Sequence, residues 1–151
     1  MYKSKYDVIV IGAGHAGVEA ALISNFLGVS VAIVTMDINA IARMSCNPAI
    51  GGLAKGQIVR EIDVLGGVMA ETADFSGLQF KTLNKSKGRA VWSPRAQVDK
   101  RLYEKTIRKK LTNSSVSIIQ SEATAVNIKN NKIKGVFLRS GEEIKCLSGI
   151  T

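Results

Sequence analysis

A glycine-rich turn near the N-terminus constrains the fold of this chain more than any other feature. The segment Tyr6–Ile11 is apolar and rich in β-branched residues, which predicts a strand that is buried on both faces. Gly12, Gly14 and Gly17 follow it at the spacing GxGxxG. We expect Gly12 to permit a tight turn, Gly14 to let a pyrophosphate approach the backbone, and Gly17 to let a helix pack closely. The alternative is a turn whose glycines are purely structural.

The residues after this turn supply the context that the motif requires. Val18–Leu27 is predicted to be a helix that ends at Gly28, and Val29–Thr35 is predicted to be a second buried strand. Strand, helix and strand form a βαβ unit of about 30 residues. An acid usually ends the second strand and binds a ribose hydroxyl, but Thr35 occupies that position and Asp37 lies two residues later. A threonine hydroxyl can also bind a ribose.

The remaining pattern predicts more helices and a change of strand type. Asp37–Gly52 is predicted to be a loop, and Val68–Pro94 has no clear period apart from a short strand at Gln79–Leu83. We predict helices at Leu53–Leu65, with Ile58, Ile62 and Leu65 on one apolar stripe, and at Arg95–Leu111, with Val98, Leu102, Ile107 and Leu111 as its apolar positions. A third parallel strand is expected at Val116–Gln120, followed by an antiparallel meander at Ala123–Ile128, Ile133–Arg139 and Glu142–Leu147. The fold class is therefore α/β, a Rossmann-like parallel sheet with an appended antiparallel β-meander.

The positive charge is concentrated in one segment. The 151 residues include 21 Lys and Arg and 12 Asp and Glu, a formal net charge of +9. Residues 81–110 hold eleven basic and two acidic residues, so the net charge of this segment, +9, equals the net charge of the whole chain. A polyanion such as a nucleic acid is one partner that this charge fits. The other interpretation is a helix with a solvated basic face.

Cys46 and His15 are the two side chains with possible chemistry. Cys46 lies in a loop that Pro48 stiffens, shortly before Lys55 and a predicted helix. Such a cysteine is either a thiolate activated by a helix N-terminus and a cation, or a small packing residue. His15 lies inside the glycine turn and is expected to cap the helix or to contact the phosphate region. The one tryptophan, Trp92, is expected to anchor its loop.

Composition excludes several other classes of protein. The hydrophobic content of 46% is too high for a disordered chain, and no apolar run approaches the roughly 20 residues that span a bilayer. The N-terminus resembles neither a signal peptide nor a transit peptide, so we expect a cytoplasmic protein without membrane contact. Two distant cysteines and one histidine make a disulfide framework or a structural zinc site improbable.

Several segments together resemble one family. They are Gly12–Gly17, Met44–Gly52, Lys55–Gly56, Leu83–Gly88 and Ala90–Asp99. The combination is similar to the N-terminal part of the GidA family, also called MnmG, the tRNA uridine 5-carboxymethylaminomethyl modification enzymes. The glycine motif alone fits many flavoproteins, whereas the motifs around Cys46 and Trp92 are specific to this family.

The resemblance implies a cofactor, a reaction and partners. It implies an FAD-binding Rossmann domain of the glutathione-reductase type, in which Gly12, Ala13, Gly14, His15, Ala16 and Gly17 bind the cofactor. Thr35 would then contact the ribose, Ala123 would contact the adenine through its backbone, and the Cys46 loop would lie near the isoalloxazine, with Cys46 as a candidate catalytic residue. The family acts with the GTPase MnmE on the wobble uridine of certain tRNAs. A folate donates the methylene group, NADH is the reductant, and the full-length enzyme is expected to be a homodimer.

The length of the chain departs from the family. Members are several times longer, so we expect residues 1–151 to be one FAD-binding domain at the N-terminus of a longer protein. We also expect that the absence of the family's next strand exposes an unpaired edge of the sheet. Two alternatives to the enzyme remain, an inactive stand-alone nucleotide-binding fragment and a basic RNA-binding protein in which the glycine turn is structural.

Overall fold

The computed structural model describes residues 3–45 and 47–150, and it contains alternating strands and helices over that part of the chain. In chain order the described strands are β1 (Lys5–Ile11), β2 (Val31–Thr35), β3 (Ala49–Gly51), β4 (Gly77–Leu83), β5 (Ser93–Val98), β6 (Ser117–Gln120), β7 (Ala123–Lys129), β8 (Lys132–Leu138) and β9 (Glu143–Ile150). The α-helices are α1 (His15–Phe26), α2 (Lys55–Val64), α3 (Met69–Phe75) and α4 (Lys100–Asn113). Short 3-10 turns lie at Ile38–Ala40, Lys85–Lys87 and Arg89–Val91. None of the helices in this part of the chain is both long and apolar enough to cross a membrane.

The contacts divide the chain into two compact units. The first comprises Met1–Arg43 and Lys109–Thr151, and the second comprises Met44–Arg108. The first unit is built on a six-stranded sheet in the order β6-β2-β1-β9-β8-β7. Neighbouring strands run parallel from β6 to β9 and antiparallel from β9 to β7. The prediction of a Rossmann-like parallel sheet with an antiparallel meander is therefore confirmed.

The last strand corrects one expectation about this sheet. The prediction of an unpaired edge beside β1 is wrong, because β9 pairs in parallel with β1, from Lys5 opposite Lys145 to Val10 opposite Ile150. β9 also pairs antiparallel with β8. The third strand of the meander therefore occupies the position next to β1 and continues to Ile150, three residues beyond its predicted end.

Apolar side chains from these strands form the core of the first unit. One cluster of this core is made only of residues from the parallel strands and the meander, as the near-continuous apolar runs predict. The cluster comprises Tyr6, Ile9, Ala32, Val34, Ile119, Val136, Leu138, Ile144 and Cys146. Cys146 is part of this core. Its burial, and to a smaller extent the nearby Glu143 carboxylate, raises the pKa of its thiol.

A separate three-stranded antiparallel sheet, in the order β3-β5-β4, forms the base of the second unit. The predicted helix at Arg95–Leu111 is wrong at its start, because Arg95–Val98 belongs to β5 and α4 begins at Lys100. The carboxylate of Asp99 accepts a hydrogen bond from the Leu102 amide at 2.9 Å, which caps the first turn of the helix. The Val98 amide instead donates to the Pro48 carbonyl at 2.9 Å.

Two further helices of the second unit differ from the expectations. α3 lies in the stretch where the sequence pattern predicted no helix. α2 begins two residues after its predicted start, and its apolar stripe is not a buried face, since Ile58 is 52% exposed and Leu65 is 73% exposed.

Candidate functional site

The glycine turn joins β1 to α1 and is held by backbone hydrogen bonds. Gly12 has φ of +97°, a conformation that side chains with a Cβ rarely adopt. Its amide donates to the Val34 carbonyl at 2.8 Å, which ties the turn to the end of β2. The Ala13 carbonyl accepts from the Ala42 amide at 2.9 Å. The turn is therefore fixed on both sides in a conformation that requires glycine at its first position.

The other two glycines of the motif have different surroundings. A Cβ built on Gly17 would overlap the carbonyl oxygen of Gly12 and lie 3.4 Å from the Val10 side chain. A Cβ built on Gly14 would meet no heavy atom of the described residues within 4 Å. Gly17 is therefore required for packing within the fold, whereas Gly14 has open space where its Cβ would lie.

α1 begins inside the motif, at His15 rather than at the predicted Val18. Gly14 is the N-cap residue, and among the described residues no side chain caps this end of the helix. The Val18 amide makes the first helical bond to the Gly14 carbonyl at 3.0 Å. The preceding amides lie in the first turn, where an α-helix leaves its N–H groups without intrahelical acceptors and presents its positive dipole end. Ala16 is exposed beside the half-buried His15 at this end.

Thr35 ends β2, where the sequence pattern placed the ribose contact. Its hydroxyl donates to the Asp37 carbonyl at 3.3 Å and keeps its acceptor capacity. The Asp37 carboxylate accepts from the Asn39 amide at 2.8 Å and forms an ion pair with Arg43 at 3.3 Å. Asp37 therefore caps a local turn, which leaves Thr35 as the residue at the end of the strand.

The structure brings the predicted cofactor-binding residues to one edge of the first sheet. β1 ends at the glycine turn, β2 ends at Thr35, and Thr35 pairs with Gln120 at the end of β6. The Ser121 amide then donates to the Thr35 carbonyl at 2.9 Å, and Ala123 begins β7 two residues later. Open parallel sheets bind ligands at the carboxyl ends of their strands, and this edge carries all eight predicted cofactor-binding residues.

Cys46 lies outside the described residues, but its neighbours show how the loop is held. The Met44 amide donates to the Glu104 carboxylate at 2.8 Å, and the Pro48 carbonyl accepts from the Val98 amide at 2.9 Å. Ser45 and Asn47 are exposed. The loop is therefore anchored at both ends within the second unit, and the residues on either side of Cys46 face solvent.

Trp92 anchors its loop, as predicted. Its indole N–H donates to the Lys85 carbonyl at 3.3 Å, which joins the two ends of the segment from 85 to 92. The Arg89 guanidinium lies 5.8 Å from the ring centroid, within the range of a cation–π contact.

The sheet of the second unit has a polar face that the sequence pattern did not predict. A cavity of about 270 Å³ lies over this face, and its lining residues are Asn47, Gln79, Lys81, Leu83, Arg95 and Gln97. The residues of β4 and β5 in this set alternate along each strand, which places them on one face. The alternating polar pattern at Gln79–Leu83 was the available signal, but its partner strand had been predicted as the first turn of a helix.

The basic residues of α4 lie on its exposed side. Arg101, Lys105 and Lys109 are exposed at a spacing of four residues, while Tyr103, Ile107 and Leu111 are buried. Leu102, predicted as an apolar position, is 37% exposed, and Tyr103 is buried in its place. None of the three exposed cations forms an ion pair or side-chain hydrogen bond with another described residue.

Comparisons with known proteins extend over almost the whole chain. The family model described as "Glucose inhibited division protein A" matches residues 7–151. The tRNA uridine 5-carboxymethylaminomethyl modification enzyme MnmG of Endomicrobium trichonymphae is 51% identical over 142 residues, which cover 93% of this chain and 24% of that protein. The MnmG of Chlorobium phaeobacteroides is 52% identical over 141 residues, which cover 93% of this chain and 23% of that protein. The chain therefore spans about a quarter of the length of these curated relatives.

Solved structures agree with these matches. Aquifex aeolicus GidA superposes with a TM-score of 0.92 at 47% identity, covering 97% of this chain and 24% of that one. PqsL of Pseudomonas aeruginosa, described as a probable FAD-dependent monooxygenase, superposes with a TM-score of 0.62 at 16% identity, covering 94% of this chain and 40% of that one. The second likeness shows a shared fold and nothing more.

Proposed function

The chain belongs to the glucose inhibited division protein A family, and from that premise we propose that it is the FAD-binding part of an enzyme that modifies tRNA. In the complete protein the reaction would add a carboxymethylaminomethyl group to C5 of the wobble uridine, U34, of certain tRNAs. We further propose that residues 1–151 serve as its N-terminal FAD-binding domain.

The glycine turn is the observation that carries the cofactor proposal. A Cβ at Gly14 would meet no heavy atom of the described residues within 4 Å, and α1 begins beside it with its first-turn N–H groups and positive dipole end. A pyrophosphate fits such a cradle, with Gly12, Ala13, Gly14, His15, Ala16 and Gly17 around it. Thr35 would hold the ribose, and the backbone at Ala123 would contact the adenine. When bound, the flavin supplies the redox chemistry of the enzyme.

The exposed basic side of α4, with Arg101, Lys105 and Lys109, supports the proposal that tRNA is the substrate. The exposed cations of α4 have no acidic partner among the described residues, so they are available to phosphates. The relatives at 51% and 52% identity carry names that specify a tRNA uridine modification. The charge pattern and the relatives therefore indicate the same class of partner independently.

The remaining partners are proposed from the family resemblance. The enzyme would act with an MnmE-type GTPase, take its methylene group from a folate and use NADH as reductant. It would act as a homodimer in the cytoplasm. A catalytic role of Cys46 belongs to the same proposal, because its loop would lie near the isoalloxazine.

A reconstitution tests the proposed function. The full-length protein that contains this segment should bind FAD and modify U34 of tRNA in the presence of the GTPase, the folate and NADH. Omitting the GTPase or NADH should abolish turnover without releasing FAD. A flavin-free preparation that modifies tRNA at the same rate would contradict the proposal.

The coverage of about a quarter of the relatives favours one second candidate, an inactive nucleotide-binding fragment. The 151-residue chain would then bind FAD but would not modify tRNA under the same conditions. Turnover by the 151-residue chain alone would exclude this candidate.

A further inference from the structure

Two cations lie side by side on adjacent strands of the sheet of the second unit. Lys81 of β4 and Arg95 of β5 are direct register partners, which puts their Cβ atoms about 5 Å apart. Gln79 and Gln97 form the next pair along the same strands. Neither cation forms an ion pair or side-chain hydrogen bond with another described residue.

This arrangement is unfavourable without a ligand. Like charges directly opposite each other destabilise an antiparallel pair. The cavity over this face is lined by two cations, three amide side chains and one leucine, and no carboxylate is among the described residues that line it. Both cations also line a larger cavity of about 640 Å³ whose lining includes Asp63 and Asp74, but no ion pair joins them to these carboxylates. A position that violates a local rule of stability is characteristic of a functional site.

An oxyanion would reverse the sign of this interaction. The planar guanidinium of Arg95 can bind a carboxylate or phosphate through two parallel hydrogen bonds, and the Lys81 ammonium adds a point charge. The amides of Asn47, Gln79 and Gln97 can donate further hydrogen bonds. The repulsive pair would then become a preorganised anion site of small volume.

The names of the relatives specify a carboxymethylaminomethyl group, and the structure of that group identifies the oxyanion. A carboxymethylaminomethyl group is a methylene joined to the nitrogen of an N–CH2–COO⁻ unit, and that unit is glycine. We propose that Arg95 and Lys81 bind the carboxylate of glycine, the amine that becomes part of this group, over the polar face of β4 and β5. This inference rests on the proposed function. One lining residue of the cavity, Asn47, directly follows Cys46 in the sequence.

Two charge-removing variants test the site in the full-length, flavin-loaded protein. Arg95→Gln and Lys81→Gln each remove one cation, Arg95→Lys keeps the charge but loses the planar fork, and Lys87→Gln is the control in a nearby exposed turn. Thermal unfolding is measured with glycine, with acetate, with methylamine and with inorganic phosphate. The KM for glycine and the affinity for tRNA are measured on the same proteins.

The proposal predicts a specific pattern. Glycine and acetate should raise the melting temperature of the parent and of Lys87→Gln, while methylamine should not. Both charge-removing variants should lose that response and should unfold, without ligand, at or above the melting temperature of the parent. Their KM for glycine should rise about tenfold or more, as expected for the loss of a charge-assisted hydrogen bond, with tRNA affinity unchanged, and Arg95→Lys should lie between.

The other outcomes would overturn it. Stabilisation by phosphate instead of acetate, with weaker tRNA binding and an unchanged KM for glycine, would assign the site to a tRNA phosphate. Equal KM values for glycine and equal stabilisation by each ligand in all variants would show that the cations bind neither glycine nor a tRNA phosphate. If the parent responds to glycine and acetate but does not modify tRNA, the proposed function fails while the carboxylate site is supported. Lys81→Gln carries the test if Arg95→Gln does not fold.

Discussion

Gly14 and Gly17 are three residues apart, but the fold has room for a side chain only at Gly14. Gly14→Ala or Gly14→Val adds carbon to open space, and the backbone there is extended, so the fold should tolerate either change. The added group would occupy the approach path of a pyrophosphate, so FAD binding should be abolished. Circular dichroism should show an unchanged fold, and flavin titration should show the loss of binding.

Gly17→Ala is the matched contrast to that experiment. Its added methyl would overlap the Gly12 carbonyl, so the turn or α1 must shift. We expect a loss of about 1–3 kcal/mol in the free energy of unfolding, the usual range for overpacking. Unchanged FAD affinity in the Gly14 variants, or unchanged stability in Gly17→Ala, would contradict the account of the turn.

Asp7 gives the first unit a defined dependence on pH. Its carboxylate accepts hydrogen bonds from the Ser30 hydroxyl at 2.6 Å and the Ser30 amide at 2.8 Å, and these bonds lower its pKa. A lowered pKa in the folded state stabilises the fold above the unfolded value of 3.8, and that stabilisation is lost as pH falls through the folded value. Asp7→Asn should therefore unfold at a lower temperature than the parent at neutral pH, and the gap should close in acid. A gap that is constant with pH would show that the charge of Asp7 does not contribute.

Cys46 can be tested only against the complete reaction. In the full-length protein, Cys46→Ser should lower tRNA modification much more than it lowers FAD binding, because a serine hydroxyl is a far weaker nucleophile than a thiolate. Turnover, FAD affinity and melting temperature are measured together. A parallel decline of activity and stability would identify Cys46 as a packing residue.

Among the elements, α4 offers the sharpest electrostatic test. Lys105→Glu with Lys109→Glu reverses two exposed charges on one side of the helix, while Lys129→Glu with Lys132→Glu makes the same change at the turn between β7 and β8. The first pair should weaken tRNA binding several-fold and lower the salt slope by about two, with FAD binding unchanged. Filter binding at several salt concentrations measures both quantities. Identical slopes for the two double variants and the parent would mean that the α4 lysines only face solvent.

The sequence predicted elements best where local pattern and tertiary packing agree. β1, α1 and β2 follow from buried apolar runs around a glycine turn, and β6 follows from the same signal. Arg95–Val98 was predicted as helix because Val98 and Ile107 fit a helical stripe, yet pairing with β3 and β4 makes it a strand. The pairing of β9 with β1 is a long-range choice that no local period encodes.

The candidate site was predicted only in part for a related reason. The glycine turn and Thr35 could be placed because the carboxyl ends of parallel strands lie at the same edge of a sheet. The polar face with Lys81 and Arg95 could not be placed, because it depends on the register between β4 and β5, which pairs two residues that are 14 positions apart in sequence. Ala123 was assigned from the family resemblance, and the structure brings it to the same edge through β6.

At the scale of the whole molecule, the chain carries a glycine turn suited to a nucleotide in the first unit and a group of exposed cations on α4. The family match covers residues 7–151, and the relatives are about four times longer than this chain. The proposed reaction is therefore that of a complete protein of which this chain is about a quarter.

The central claim is that the glycine turn binds FAD, and the absorbance spectrum of the purified 151-residue chain tests it most directly. The account predicts a yellow protein with flavin absorbance that remains after gel filtration, or a colourless protein that gains this spectrum stoichiometrically when FAD is added. Gly14→Val should not gain it. A chain that is folded by circular dichroism but stays colourless at saturating FAD would contradict the claim.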